Sequence, residues 1–550
     1  MPVRFKFLMS SSYHSFHIPV MGLAYTIDSP IKVARFGISS VISIIEDRLV
    51  EMMRSHYYPA IDLVYNPIST HEDDFRAKRI TDYLNLVNTI VQHQIEQLRQ
   101  AAFETGSEVV TYFEMLPEDH RLKHMYRQMT KANNLPEKKE IEGYLRSQIR
   151  PGRIDVNIMT KIDRNKYTKD GECVEDGSDA VSALRGYVKS DLVNSAVVFS
   201  AGLNPRVYSY LENCNAFDAN ENGEFVKKII VKVSDYRSAL IQGKYLAKKG
   251  IWVSEFRIES GLNCGGHAFA TEGYLLGPVL EEFKTNKKEL IATLFELYTI
   301  ALQKKNSNRL ASPPDMAITV QGGIGTHEED EFLHRYYHVE STGWGTPFLL
   351  VPEATTVDEN TLELLRSAKE KDVELSRISP LGVRFYSLKG TTAENEKSLR
   401  ISQGKPGSPC TEKLLAFNTE FTIEPICTAS HKYQKLKINQ LQSLNLPEAE
   451  YEKQLQQVQE KECLCLGLSN SASIAYNRPF IKKLNAVTIC PGPNIANFSK
   501  IVSLQTMTDH IYGRSNIMTN PNRSHMFIAE ILLYIDFLKE QLEEDSLAGA

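Results

Sequence analysis

Short apolar or β-branched runs recur through the first two thirds of this chain, each followed by a longer stretch of helical period. That alternation constrains the fold more than any single motif. The runs are Ile18–Ala24, Val41–Ile45, Ile154–Met159, Ser195–Leu203, Lys227–Ser234, Trp252–Ser260, Asp315–Gly323 and His338–Trp344. Strands that are apolar throughout suit a sheet covered on both faces, which is where parallel strands are found. Eight of them in βα alternation predict an α/β chain folded as a (β/α)8, TIM-type barrel.

The spacing breaks once. Between the second run and Ile154 lie about a hundred residues, more than a βα loop needs, and "FRAKRITDYLNLVNTIVQHQIEQLRQAAFE" (Phe75–Glu104) has helical period. We read residues 1–390 as the barrel, with a helical insertion over about 47–150, and 391–550 as an additional C-terminal, mainly helical, cysteine-containing region. Within that region, "GTTAENEKSLRISQGKPGSPC" (Gly390–Cys410) reads as a linker or exposed loop because it is polar and turn-rich. The charged stretch Leu446–Glu462 reads as a solvated helix, and Phe527–Leu542 as an amphipathic helix that docks on the body or on a partner subunit.

Bulk composition narrows the class. A chain of 550 residues with a net charge of -5 and 24% charged residues carries no basic field of the kind nucleic acid selects, so a nucleic-acid partner is not expected. The N-terminal residues lack an apolar signal core, and no run reaches the ~18–20 apolar residues of a membrane span. A cytoplasmic protein without a membrane partner is the simplest expectation.

Chemistry in a parallel barrel collects at the C-terminal ends of the strands. The residues predicted there are Met21 and Gly22, Asn157, Lys232, then Gly265, Gly266 and His267, Gly322 and Gly323, and Gly345 with Thr346. The last two pairs fall in "ITVQGGIGT" (Ile318–Thr326) and "GWGTPFLLVPE" (Gly343–Glu353), after the strands whose loops bind phosphate in such barrels. Glycine there lets backbone N–H groups approach a phosphate closely. Lys232 is placed to face an electron-rich ring and Asn157 to hydrogen-bond a ring edge.

These segments and their order resemble the nitronate monooxygenase family, flavin-dependent (β/α)8 enzymes whose relatives include an FMN-dependent enoyl-thioester reductase. The resemblance runs from "PVMGLAYTIDSPIKVARFGISSVISI" (Pro19–Ile44) through the Gly-Gly-His at Gly265–His267 and the Gly-Gly-Ile at Gly322–Ile324 to the Gly-Thr-x-Phe at Gly345–Phe348. It implies FMN as cofactor and His267 as the acid/base residue that works on the substrate. The family's usual Glu-Ala before Gly-Gly-His is Asn263-Cys264 here, a change that bears on the substrate.

The expectation is therefore an FMN-dependent flavoprotein oxidoreductase, a monooxygenase or a reductase. It would act on an unidentified small organic molecule, with an electron-donor partner and a homo-oligomeric state open. A non-redox lyase or isomerase binding a phosphorylated ligand at the same glycine turns is the alternative, with Glu259 and Asp235 as its acids. Cys410, Cys427, Cys463, Cys465 and Cys490 each lie near Pro or Gly turns and are candidate ligands of an iron–sulfur cluster or a zinc ion, although no C-x-x-C pair occurs among them. Buried free thiols are the competing reading.

Overall fold

A computed structural model describes residues 13–548, apart from 169, 201, 221–222, 266–273, 306–309 and 480–484. Eight parallel strands close into a barrel in chain order: β1 (Phe16–Ile18), β2 (Ser39–Ser43), β3 (Ile154–Ile158), β4 (Ser195–Phe199), β5 (Lys227–Val233), β6 (Glu255–Glu259), β7 (Ala317–Gln321) and β8 (Ser341–Gly343). Pairing of β8 with β1, Thr342 opposite Phe16 and Gly343 opposite His17, completes the ring. The predicted barrel is present, with helices interleaved between the strands and a C-terminal helical region beyond them.

Most strands are shorter than their predicted runs, and at two of them the cause is local. β1 stops at Ile18 because Pro19 has no N–H to give to the ladder. The predicted run Ile18–Ala24 therefore shares only Ile18 with β1 and turns from there, with Met21 N–H donating to Thr26 Oγ1 at 3.3 Å and Gly22 left-handed at φ 67°. β8 begins only at Ser341, since His338 is itself left-handed at φ 57°.

Side chains alternate along each strand, and the two faces have different chemistry. Val156, Phe199, Val231, Phe256, Ile258 and Val320 point outward into the large core shared with the helices. Inside the barrel, a separate apolar band of Val20, Val41, Ala196, Val198 and Ile230 divides two polar layers. Below it, Glu255 binds Arg257 at 2.7 Å and accepts from Thr319 at 2.6 Å, while Arg153 pairs with Asp155 at 3.2 Å. Above it lie Ser43, Asn157, Lys232, Glu259 and Gln321, all buried. Strands read as apolar on both faces are thus apolar toward the helices and largely polar toward the axis.

Between β2 and β3 run five helices, Asp47–Ala60, Phe75–Gln100, Glu108–Met115, Arg121–Lys131 and Leu135–Gln148. Phe75–Gln100 packs on the helix Asp179–Val188 at Gly186, where a Cβ would stand 2.8 Å from Ile80.

After the barrel comes an antiparallel hairpin, β9 (Val373–Ser376) with β10 (Phe385–Leu388). The stretch expected as a linker contains the helix Thr392–Ser402, a correction with a legible cause: Thr391 caps it, accepting from the Glu394 N–H. The charged stretch forms the exposed helix Glu448–Gln459. The last helix, Met526–Ala548, docks on the body through buried Glu530, Tyr534 and Phe537. No helix among the described residues is long and apolar enough to cross a membrane.

Candidate active site at the barrel mouth

Glu259, the last residue of β6, organises the upper polar layer. Its Oε1 accepts from Lys232 Nζ at 2.9 Å, from Gln321 Nε2 at 2.8 Å and from Asn263 Nδ2 at 3.0 Å. One carboxylate oxygen thus ties β5, β6, β7 and the turn after β6 together. A buried carboxylate with a single partner would be costly, and three donors with one cation offset that cost. Lys232 and Asn157 both line the cleft at the mouth, Lys232 paired with Glu259.

Beside this hub opens a narrow, mostly apolar cleft. Its floor is Ser43, Asn157, Ser200, Lys232 and Glu259, and across its top lie Leu414, Leu415, Leu464 and Leu468 of the C-terminal region. Two buried polar atoms at its floor, Asn157 Oδ1 and Ser43 Oγ, have no hydrogen-bond partner among the described residues. Unpaired buried acceptors are rare in native proteins and ask for an explanation, a ligand's donor being one.

The glycine turns meet at one side of the cleft. Gly265, left-handed at φ 85°, lies so close to the β1 turn that a Cβ would stand 2.6 Å from Met21 Cα, and Gly22 N–H donates to its carbonyl at 3.3 Å. At Gly345 a side chain would run into the Cys264 sulfur. Cys264 is itself buried, and burial pushes its thiol up to about 12, so it is a packing residue and not a nucleophile at neutral pH. Gly322 and Gly323 are both left-handed, at φ 104° and 79°. Gly266 and His267 lie outside the described residues.

What sequence reasoning missed is the C-terminal contribution to these turns. Arg523 donates to the Gly323 carbonyl at 2.6 Å and to Glu329 at 2.6 Å, and Asn494 donates to the Ile324 carbonyl at 3.0 Å. Thr346 Oγ1 donates to the Pro491 carbonyl at 2.7 Å, and Gly265 N–H to the Cys490 carbonyl at 3.1 Å. Glu329 closes a capping box with Thr326 at the start of the helix His327–Tyr336 and accepts from the Gly325 N–H, so part of that turn is already satisfied. Arg523 and Asn494 sit far down the chain with no local pattern to announce them.

Asp235, the other acid offered for a non-redox site, caps the helix Tyr236–Lys248 by accepting from the Ser238 N–H at 2.7 Å. Among the described residues no three His, Cys, Asp or Glu side chains are gathered to hold a metal, which counts against the expectation of an iron–sulfur cluster or zinc at Cys410, Cys427, Cys463, Cys465 and Cys490 and favours buried thiols. Cys490 is buried at the mouth, where its carbonyl accepts from the Gly265 N–H at 3.1 Å.

At its ring end the cleft has the chemistry a flavin would need: an apolar lining, acceptors without a partner among the described residues, and the Lys232 cation alongside. At the phosphate end the glycine turns are present and carry the Arg523 guanidinium, but Pro491 and Gly492 press against them. Free space in the cleft, ≈ 70 Å³, is well under the ~300 Å³ of a typical organic-ligand pocket, so the four leucines across it must draw back to admit a ring.

No protein-family profile matches the chain, and no curated protein matches it in sequence. Among solved structures, the enoyl reductase domain of MlnA from the macrolactin biosynthesis cluster of Bacillus amyloliquefaciens aligns with 14% identity and a TM-score of 0.34, over 76% of this chain and 94% of that one. The fold assignment rests on the closed eight-strand ring itself.

Proposed function

We propose that this protein is an FMN-dependent oxidoreductase acting on a small or medium-sized organic substrate at the barrel mouth. The observation that carries the reading is the pair of acceptors without a partner among the described residues, Asn157 Oδ1 and Ser43 Oγ, on the floor of an apolar slot beside Lys232. Asn157 would accept from the ring edge, and Lys232 would present its charge there while Glu259 holds it in place. Gly323, Gly345 and Thr346, with Arg523 behind them, would receive the phosphate. FMN supplies the hydride and electron transfer when bound. His267, two residues past Gly265, is the proposed acid/base residue toward substrate.

The test is to purify the full chain, incubate it with FMN, remove free ligand and measure flavin released on denaturation. About one FMN per chain is expected of a flavoenzyme. A protein that retains none, with or without added FMN, overturns the reading. In that event the buried Lys232–Glu259 pair at the ends of β5 and β6 favours the second reading, a non-redox lyase or isomerase on a phosphorylated ligand, because such chemistry needs a charged pair at strand ends.

A further inference from the structure

The last helix, Met526–Ala548, is apolar on two sides. Met526, Leu533, Tyr534 and Phe537 turn toward the body, with Glu530 among them. On the other side Ile528, Ile531, Leu532, Ile535, Leu538 and Leu542 are 41–69% exposed. All of these but Leu532 follow one another at alternating spacings of three and four residues. That is the a/d seam of a heptad, the pattern by which helices pack on each other. A helix that only docks on its own domain needs one stripe and keeps the opposite face polar. The exposed stripe is continued by the helix His327–Tyr336. There Phe332 and Tyr336, 40% and 46% exposed, stack with ring centroids 5.1 Å apart, and Phe332 meets the Phe527 ring edge-on at 6.3 Å.

The patch has the area of an interface. With ~100 Å² of apolar surface in a fully exposed leucine or isoleucine and ~200 Å² in a large aromatic, the exposed fractions of these eight side chains come to about 500 Å². That is near the top of the ~300–600 Å² that the largest patch of a typical monomer reaches. At the ~65% apolar content of homodimer interfaces it corresponds to about 750 Å² per copy, close to the ~800 Å² per partner of stable complexes. Charge disfavours a membrane as the cover. Met526–Ala548 has six acidic residues and one lysine, whereas helices that lie on anionic lipid carry Lys and Arg beside their apolar face.

We propose that two copies of this chain pair here, the exposed stripe of one helix crossing the same stripe of the other about a two-fold axis at Ile535. Ile535 is the midpoint of the stripe, seven residues from Ile528 and seven from Leu542. An antiparallel crossing there sets Ile528 against Leu542 of the second copy and leaves no seam residue without a counterpart, as a self-complementary contact requires. The inner face of the same helix holds the turn after β6, Glu530 accepting from the N–H groups of Gly261 and Leu276. Pairing therefore backs the barrel mouth in both copies. The inference does not depend on the flavin reading.

The test is sedimentation of the full chain over a range of concentrations. A dimer of twice the 62.3 kDa chain mass is expected, with a Kd of about 1 μM or tighter. I535E puts two like charges on the axis and should weaken pairing at least ~30-fold, the effect of a hot spot at an interface centre. I528E should weaken it as well. Both positions face solvent in the single chain, so the variants should keep the parent's circular dichroism. I535C should cross-link two copies under mild oxidation, because a residue on the axis meets its own counterpart. I241C, at a comparably exposed position on the helix Tyr236–Lys248, should not. A chain that stays monomeric at every concentration, a dimer as tight in I528E and I535E as in the parent, or I535C cross-linking no better than I241C would each overturn the proposal. Phosphatidylcholine–phosphatidylglycerol vesicles that retain a monomeric parent and release I535E would overturn it too, and assign the stripe to a lipid surface. FMN content enters none of these outcomes.

Discussion

Asn157 and Ser43 are the residues on which the proposed chemistry is most exposed to test. Both are buried, and each has one polar atom without a partner among the described residues. If Asn157 Oδ1 receives a ring N–H, Asn157→Leu forfeits about 1 kcal/mol of net hydrogen bonding and FMN affinity falls about fivefold to tenfold. Stability should hold or rise, since an unpaired acceptor is removed; fluorescence titration alongside urea unfolding reads both. Lys232→Met does the opposite to the fold, leaving Glu259 buried without its cation at a cost of ~3–5 kcal/mol; Lys232→Met/Glu259→Leu should recover part of that. A further residue sets a pH dependence. Glu46 caps the helix Asp47–Ala60 by accepting from the N–H groups of Arg48 and Leu49, and burial, with Asp47 and Glu412 adding to it, lifts its carboxyl to about 8. A raised carboxyl holds its proton more tightly folded than unfolded. Its contribution to stability is therefore complete below the ordinary carboxylate range and is lost as pH rises through about 8. Glu46→Gln should flatten that loss, which reaches at most ~1.4 kcal/mol per pH unit, in urea melts between pH 5 and 8.

At the scale of elements, the strands were legible because each is a short apolar run before a helix-length stretch, and the ring of eight follows from their number and order. Their edges were less so, since Pro19 and the left-handed His338 cut strands that composition alone would extend. The helix Thr392–Ser402 carried its own signal, a Thr391 cap with Glu394 three residues on, but polar composition hid it. At the mouth, glycines and strand-end residues could be picked out because chemistry there follows strand order. The leucines of the cleft and the contacts of Arg523 and Asn494 with the Gly323–Ile324 turn could not, because they join positions more than a hundred residues apart that share no periodicity. Those leucines support a prediction of their own. Leu468 crosses the cleft and its carbonyl accepts from the Ala24 N–H at 2.9 Å, so backbone anchors the cover while side chains close it. Leu468→Ala should speed FMN uptake in stopped-flow mixing severalfold, at a stability cost of about 2–5 kcal/mol for a buried leucine. An unchanged uptake rate would mean the ring enters by another route.

At the scale of the whole molecule, the C-terminal region is fastened to the barrel at the point where the chemistry is proposed. Glu530 accepts from Ser260 Oγ at 2.6 Å, from Gly261 N–H at 3.2 Å and from Leu276 N–H at 2.7 Å, bracketing the turn that follows β6. Arg523 bridges buried Glu329 and the Gly323 carbonyl, and the Pro491 carbonyl accepts a hydrogen bond from the Thr346 hydroxyl. Regions joined by several buried polar contacts have no low-energy way to part, so unfolding should be a single transition rather than two. Both tryptophans, Trp252 and Trp344, are buried in the barrel, whereas the far-ultraviolet dichroism also reports the C-terminal helices. Their urea transitions are expected to coincide in the parent. Arg523→Met leaves the Glu329 carboxylate buried without its cation, a loss of ~3–5 kcal/mol, and should shift both probes together to lower urea. Separate transitions in the parent, or a shift confined to dichroism in Arg523→Met, would mean that the C-terminal region folds onto a barrel able to stand alone. The turns around Gly261 and Gly323 would then be held by the barrel, and the C-terminal helix would be a cover over the site and not one of its walls.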